Sequence, residues 1–172
     1  MTFRSLLAAT ALMIGTDGAH ALDLSAEERF ALIDAVTAVA AGADRHDWAR
    51  VRAAFAETVE IDYSSLWGGD SASMNADDLV AQWSSFLPGF DETLHLVTNH
   101  TITSYDGENA NLEADFQANH RIDSATWVLS GHYDYALVKT AERWVVTSLT
   151  MTWTHESGDR GLVALAAERA KP

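Results

Sequence analysis

The feature that most constrains this chain is a change of hydrophobic period near Thr93. Before it, apolar residues recur every three or four positions, as on one face of a helix; after it they alternate with polar ones, as on a strand with one buried face. The alternating pattern fills the runs Thr93 to Tyr105, Asn109 to Ile122, Ala125 to Val138 and Trp144 to His155. Asp106-Gly107, Asp123-Ser124 and Thr140-Ala141-Glu142 separate these runs, and such short polar breaks close antiparallel hairpins.

The helical part begins at Ser25, with Glu28 three residues on, a capping-box spacing that predicts a first helix from Ala26 to Ala43. Asp47 can cap a second helix whose apolar face is Trp48, Val51, the stem of Arg52 and Phe55. Thr58 to Tyr63 reads as a short strand and Trp67-Gly68-Gly69-Asp70 as a loop. A third helix, started by Asn75 or Asp77, runs through Leu79, Val80, Trp83 and Phe86 to the breaker Leu87-Pro88-Gly89. Gly161 to Ala170 is apolar at helical spacing and is expected to pack loosely or to dock on a partner subunit. Helices first and a meander of strands afterwards is an α+β order. It predicts a cone-shaped α+β barrel: a strongly curved antiparallel sheet with N-terminal helices covering a central pocket.

With 172 residues the chain fits one domain. Arg4, the apolar run Leu6 to Ile14 and Ala19-His20-Ala21 have the order of a secretory signal. Residues 1–21 are therefore expected to be a signal peptide and 22–172 the mature domain, periplasmic or secreted. The apolar run is too short to span a ~30 Å hydrocarbon layer, so no stable membrane anchor is expected after processing. A net charge of −14, from 25 acidic against 11 basic side chains, repels phosphate backbones and excludes nucleic acid as a partner. There is no cysteine, hence no disulfide and no thiolate chemistry.

Four strings carry a resemblance: Asp44-Arg45-His46-Asp47-Trp48-Ala49-Arg50-Val51-Arg52, Ile61-Asp62-Tyr63-Ser64-Ser65, Leu94-His95-Leu96-Val97-Thr98-Asn99 and Asn119-His120-Arg121. In these the chain resembles the SnoaL-like branch of the nuclear transport factor two-like superfamily, and within it the scytalone dehydratases. It is similar over a smaller set, Asp44 and Glu92-Thr93-Leu94-His95 with Thr98-Asn99, to the hexachlorocyclohexane dehydrochlorinases. The resemblance implies a general-base dyad of Asp44 and His95. It also implies that Tyr63 and His120 bind a substrate oxygen or protonate a departing hydroxyl. The chemistry has its own logic: an imidazole titrates near neutral pH, and a carboxylate on one ring nitrogen fixes the tautomer while the other nitrogen takes a proton.

On a strand Ala114, Phe116, Ala118 and His120 share a face, which would make a small-residue cavity wall, whereas His100 has opposite parity to His95 and is expected to point away. Trp67, Phe86, Phe116, Tyr133 and Trp153 are the candidate substrate-binding aromatics. His95, His120 and Asp44 are ligand types that can hold iron or zinc, but no metal-ligand spacing accompanies them, so neither metal nor cofactor is expected. Two departures bar transfer of either substrate: Ala43 stands where the dehydratases carry a second tyrosine, and Val39 where the dehydrochlorinases carry a cationic side chain. The expectation is a cofactor-independent lyase, dehydratase-like, acting on a hydrophobic cyclic small molecule and assembled as a homodimer or homotrimer. The alternatives are a related isomerase and a non-catalytic ligand-binding or assembly domain.

Overall fold

The computed structural model describes residues 23–141 and 143–171, so the expected signal segment lies outside the described residues. Helix α1, Ala26–Asp44, starts where Ser25 accepts the backbone N–H of Glu28 at 3.1 Å, and it buries Leu32, Val36, Val39 and Ala43 at alternating steps of four and three. Helix α2, Trp48–Ala54, is capped by Asp47 through the Arg50 N–H. It stops one residue before Phe55, which was expected on its apolar face. Phe55 instead opens strand β1, Phe55–Asp62, and is buried edge-on against Trp83, with ring centroids 5.9 Å apart.

A short turn, α3 (Ser64–Trp67), and a strand the alternation did not mark, β2 (Ala72–Asn75), precede α4 (Ala76–Ser84), which Asn75 caps. Arg52 reaches from α2 to Asp77 at the start of α4 and to Glu57 of β1. Four long strands follow: β3 (Glu92–Tyr105), β4 (Asn109–Ile122), β5 (Ala125–Lys139) and β6 (Trp144–Gly158), each within three residues of its expected bounds. They lie in a six-stranded curved sheet of order β2-β1-β6-β5-β4-β3. The sheet is mixed, because β1 runs parallel to β6 while the other pairs are antiparallel. Inward positions of β4 are Ala110, Leu112, Ala114, Phe116, Ala118 and His120, all buried, and the intervening residues are polar.

Bulges bend this sheet around its core. On β3, Thr98 faces Asp115 and Thr101 faces Glu113, so three steps on one strand match two on the other, and Asn99 takes a left-handed φ of 54°. The extra residue reverses the parity beyond it. His100 is therefore on the half-buried side with His95, contrary to the simple alternation, and its Nε2 is buried without a partner. Another register shift falls at Gly131 of β5, where a Cβ would lie 2.1 Å from the Thr152 carbonyl oxygen; only glycine permits that approach.

The C-terminal helix α5, Leu162–Arg169, docks on its own chain rather than loosely. Leu162 and Ala166 are buried, Gly89 of the 3-10 turn Leu87–Gly89 has room for no side chain against the Ala166 backbone, and Arg169 donates to Asp91 at 2.6 Å. No helix among the described residues is long and apolar enough to cross a membrane.

Candidate functional site

Between α1, α4, α5 and the concave face of the sheet lies a cavity of about 130 Å³, on the scale of a cavity of ~150 Å³ that admits benzene. Among its lining residues there is no Lys, Arg, Asp or Glu; polar character comes from His95, His120, Tyr63, Tyr133, Tyr135 and indole rings. A cavity so lined favours an uncharged, largely apolar occupant.

At one wall the last residue of α1 meets β3. Asp44 Oδ1 accepts from His95 Nδ1 at 2.6 Å and from the Thr93 hydroxyl at 3.1 Å, and Oδ2 accepts from the His95 backbone N–H at 2.8 Å. Thr93 and His95 are two apart on one strand, so both point at the carboxylate from the same face. Burial acts to raise the Asp44 pKa, but the hydrogen bond and charge of His95, its backbone N–H and the Thr93 hydroxyl together hold the carboxyl below its ordinary value. Asp44 is thus an ionised acceptor with its orientation fixed at both oxygens. Because a carboxylate only accepts, the neutral His95 ring carries its hydrogen on Nδ1, the tautomer that leaves Nε2 free to take a proton. The two side chains are 11% and 16% exposed, so this pair is shielded but reachable from the cavity.

His120, on β4, faces His95 edge-on with ring centroids 5.3 Å apart. Its Nδ1 lies 3.3 Å from the Trp127 carbonyl oxygen, which likewise can only accept, so the neutral ring carries its hydrogen on Nδ1 and leaves Nε2 bare. Desolvation first, and then the neighbouring His95, push its pKa down to about 4, against smaller opposing effects of the Trp127 carbonyl and Asp44. His120 is a neutral acceptor packed against Phe90 and Trp127. Of the two roles inferred from resemblance, binding an oxygen fits this state; donating a proton does not.

The remaining candidates divide. Tyr63, Trp67, Phe86, Phe116 and Tyr133 line the cavity, with Phe116 and Tyr133 stacked at 4.3 Å. Trp153 is not among the lining residues: its indole N–H binds the Ser65 carbonyl and pins α3 to β6, which corrects its expected place in the site. Trp67 is 51% exposed at the rim, leaning on Trp127 with the Arg160 guanidinium 5.3 Å above its ring. Sequence reading missed Thr93, Tyr135 and the Trp127 carbonyl. Thr93 and Tyr135 each share parity with a residue that was named, His95 and Tyr133, and that parity is the signal that finds them. Among the described residues no group of three or more His, Cys, Asp or Glu could hold a metal ion.

The sequence profile of the SnoaL-like domain matches residues 25–150. No curated protein sequence matches the chain. Among solved structures, a Kribbella flavida protein is 23% identical with a TM-score of 0.69, over 84% of this chain and 97% of its own. A scytalone dehydratase-like protein from Novosphingobium aromaticivorans is 20% identical with a TM-score of 0.66, covering 78% of this chain and 89% of that one. A type 3 hexachlorocyclohexane dehydrochlorinase from Novosphingobium barchaimii is 15% identical with a TM-score of 0.63, over 78% and 92%. At these identities the likeness to each structure is one of fold.

Proposed function

Since the chain belongs to the SnoaL-like domain family, whose members include dehydratases and dehydrochlorinases, we propose that it is a cofactor-independent lyase acting on an uncharged cyclic small molecule. His95 Nε2 takes a proton from a carbon beside an electron-withdrawing group. The C–H electron pair becomes the new double bond as the bond to the leaving oxygen breaks. Asp44 holds the Nδ1–H tautomer and offsets the charge on the imidazolium. His120 has no proton to give in its resting state and burial makes the phenols weaker acids still, so the proton taken by His95 passes to the departing oxygen, and the balance is loss of water. His120 Nε2 and Tyr63 bind ligand oxygens.

The observation that carries this reading is the 2.6 Å contact between Asp44 Oδ1 and His95 Nδ1 at the wall of an open cavity. A carboxylate fixed behind an imidazole that lines the cavity is the arrangement a general base needs, and it favours this reading over a ligand-binding or assembly domain. The test is turnover of a panel of hydroxylated and halogenated cyclic compounds, followed by NMR in D2O. Formation of an alkene product, or exchange of a carbon-bound hydrogen that needs His95, supports the proposal; binding with neither reaction favours a binding module.

Export and self-association belong to the same reading. The order of Arg4, the Leu6 to Ile14 run and Ala19-His20-Ala21 supports cleavage before Leu22, which mass spectrometry of the protein from a Gram-negative host checks. Leu94 and Leu96, 44% and 50% exposed on β3, support a homodimer or homotrimer, which sedimentation equilibrium checks.

A further inference from the structure

The cavity also carries a group of phenols. Tyr63 follows β1, and Tyr133 and Tyr135 are two apart on β5, so both of the latter point to its inner face, with ring centroids 5.6 Å apart. All three line the cavity. Burial, and after it the proximity of the other phenols or of Asp44, raises each pKa above the ordinary tyrosine value, so each keeps its O–H through the neutral range.

None of these hydroxyls is hydrogen-bonded to another group among the described residues. The buried side-chain polar atom left there without a partner is His100 Nε2, so the phenolic oxygens are not sealed within protein; they open onto the cavity they line. Hydroxyls taken out of bulk water find partners. Leu66, Leu149 and Met151, which line the same cavity, add only apolar surface, so the phenols are donors for what the cavity takes up. Tyr133 also feels the negative charge of Asp44, which disfavours a carboxylate or phosphate in the same place.

We infer that Tyr133 and Tyr135, together with Tyr63, form a subsite for an uncharged carbonyl oxygen of the ligand. Neutral donors gathered at one apolar wall suit an oxygen that is polar in the ground state and gains negative charge when a proton is removed from the adjacent carbon. The subsite rests on the cavity's being a ligand site and not on elimination itself.

Two probes of one shape separate the carbonyl from the rest of the ligand: acetophenone, and α-methylstyrene, in which CH2 replaces the oxygen. Their dissociation constants are measured by calorimetry in the wild type and in Tyr133→Phe and Tyr135→Phe. The ratio of the α-methylstyrene constant to the acetophenone constant should fall about tenfold in at least one variant, while α-methylstyrene binding stays within about twofold, showing that the cavity is intact. In the wild type, the carbonyl 13C resonance of bound acetophenone should lie at or beyond its position in water. A ratio unchanged in both variants, or a bound resonance at the position seen in hydrocarbon solvent, would overturn the subsite. His95→Ala should keep the wild-type ratio, so failure of the base and failure of the subsite are read separately.

Discussion

His95 and His120 stand 5.3 Å apart on neighbouring strands, yet the protein treats the two imidazoles differently. Behind His95 is a carboxylate, itself held by Thr93 and a backbone N–H, so positive charge arriving on the ring meets a negative partner. Behind His120 is a carbonyl oxygen, and around it are Phe90 and Trp127, so positive charge there is opposed by burial. The same side chain is thus suited to hold a proton at one position and to refuse it at the other. What decides is the group on Nδ1 and the polarity of the packing, neither of which is local in sequence.

The largest effect that can break this comparison is on turnover. His95→Gln removes the proposed base and should lower kcat by about 10²- to 10⁴-fold. His120→Gln takes the ring-nitrogen acceptor, worth about 1 kcal/mol, from its place and should lower kcat/KM only about fivefold. Steady-state kinetics of the two variants side by side decides it. Equal losses would mean that the imidazoles share one role.

A second effect is on stability in acid. The folded pKa of His120, about 4, lies below its ordinary 6.5, so between those values the unfolded chain binds a proton that the folded chain refuses. The contribution is present above pH 6.5 and is lost as the pH falls toward 4, by about 3 kcal/mol in total. Asp44, with its pKa held low, loses its own contribution only further into acid, below the ordinary carboxyl range. Urea unfolding from pH 7 to pH 4 should show a shallower loss for His120→Gln than for the wild type. Parallel curves would show that His120 titrates normally when folded.

The smallest effect belongs to Thr93, a positioning residue for Asp44. Thr93→Val removes one of the bonds that lower the carboxyl pKa, so that pKa rises and the acid limb of the rate profile moves to higher pH. The accompanying loss in kcat should be about threefold to tenfold, and Thr93→Ser should restore both. A profile that stays in place in Thr93→Val would make the residue purely structural.

Much of the fold was legible because strands with one wet face write their burial directly as alternation. From Asn109 to Ile122 this held at every position. It failed where a strand gains a residue: Asn99 looks like any polar outward position, and only its left-handed backbone shows that the parity of His100 has been reversed. Phe55 was misplaced because an apolar residue at a helix end fits either element, and packing against Trp83 in another helix settled it as strand. The docking of α5 depends on Gly89 and Ala166, seventy-seven positions apart, meeting backbone to backbone. In the candidate site, Asp44 and His95 are named from resemblance, since a separation of fifty-one positions conceals that they touch. The neutral state of His120 and the unpartnered phenols of the cavity are properties of burial, and no spacing announces them.

The central claim is that Asp44 and His95 act as one base. It is tested most directly by comparing turnover in Asp44→Asn, His95→Ala and the double variant, with circular dichroism confirming that each is folded. The predicted result is a loss of about 10²- to 10⁴-fold in each single variant, with the double variant hardly worse than either. Near wild-type turnover in both folded single variants would contradict it and leave the 2.6 Å contact a structural pair.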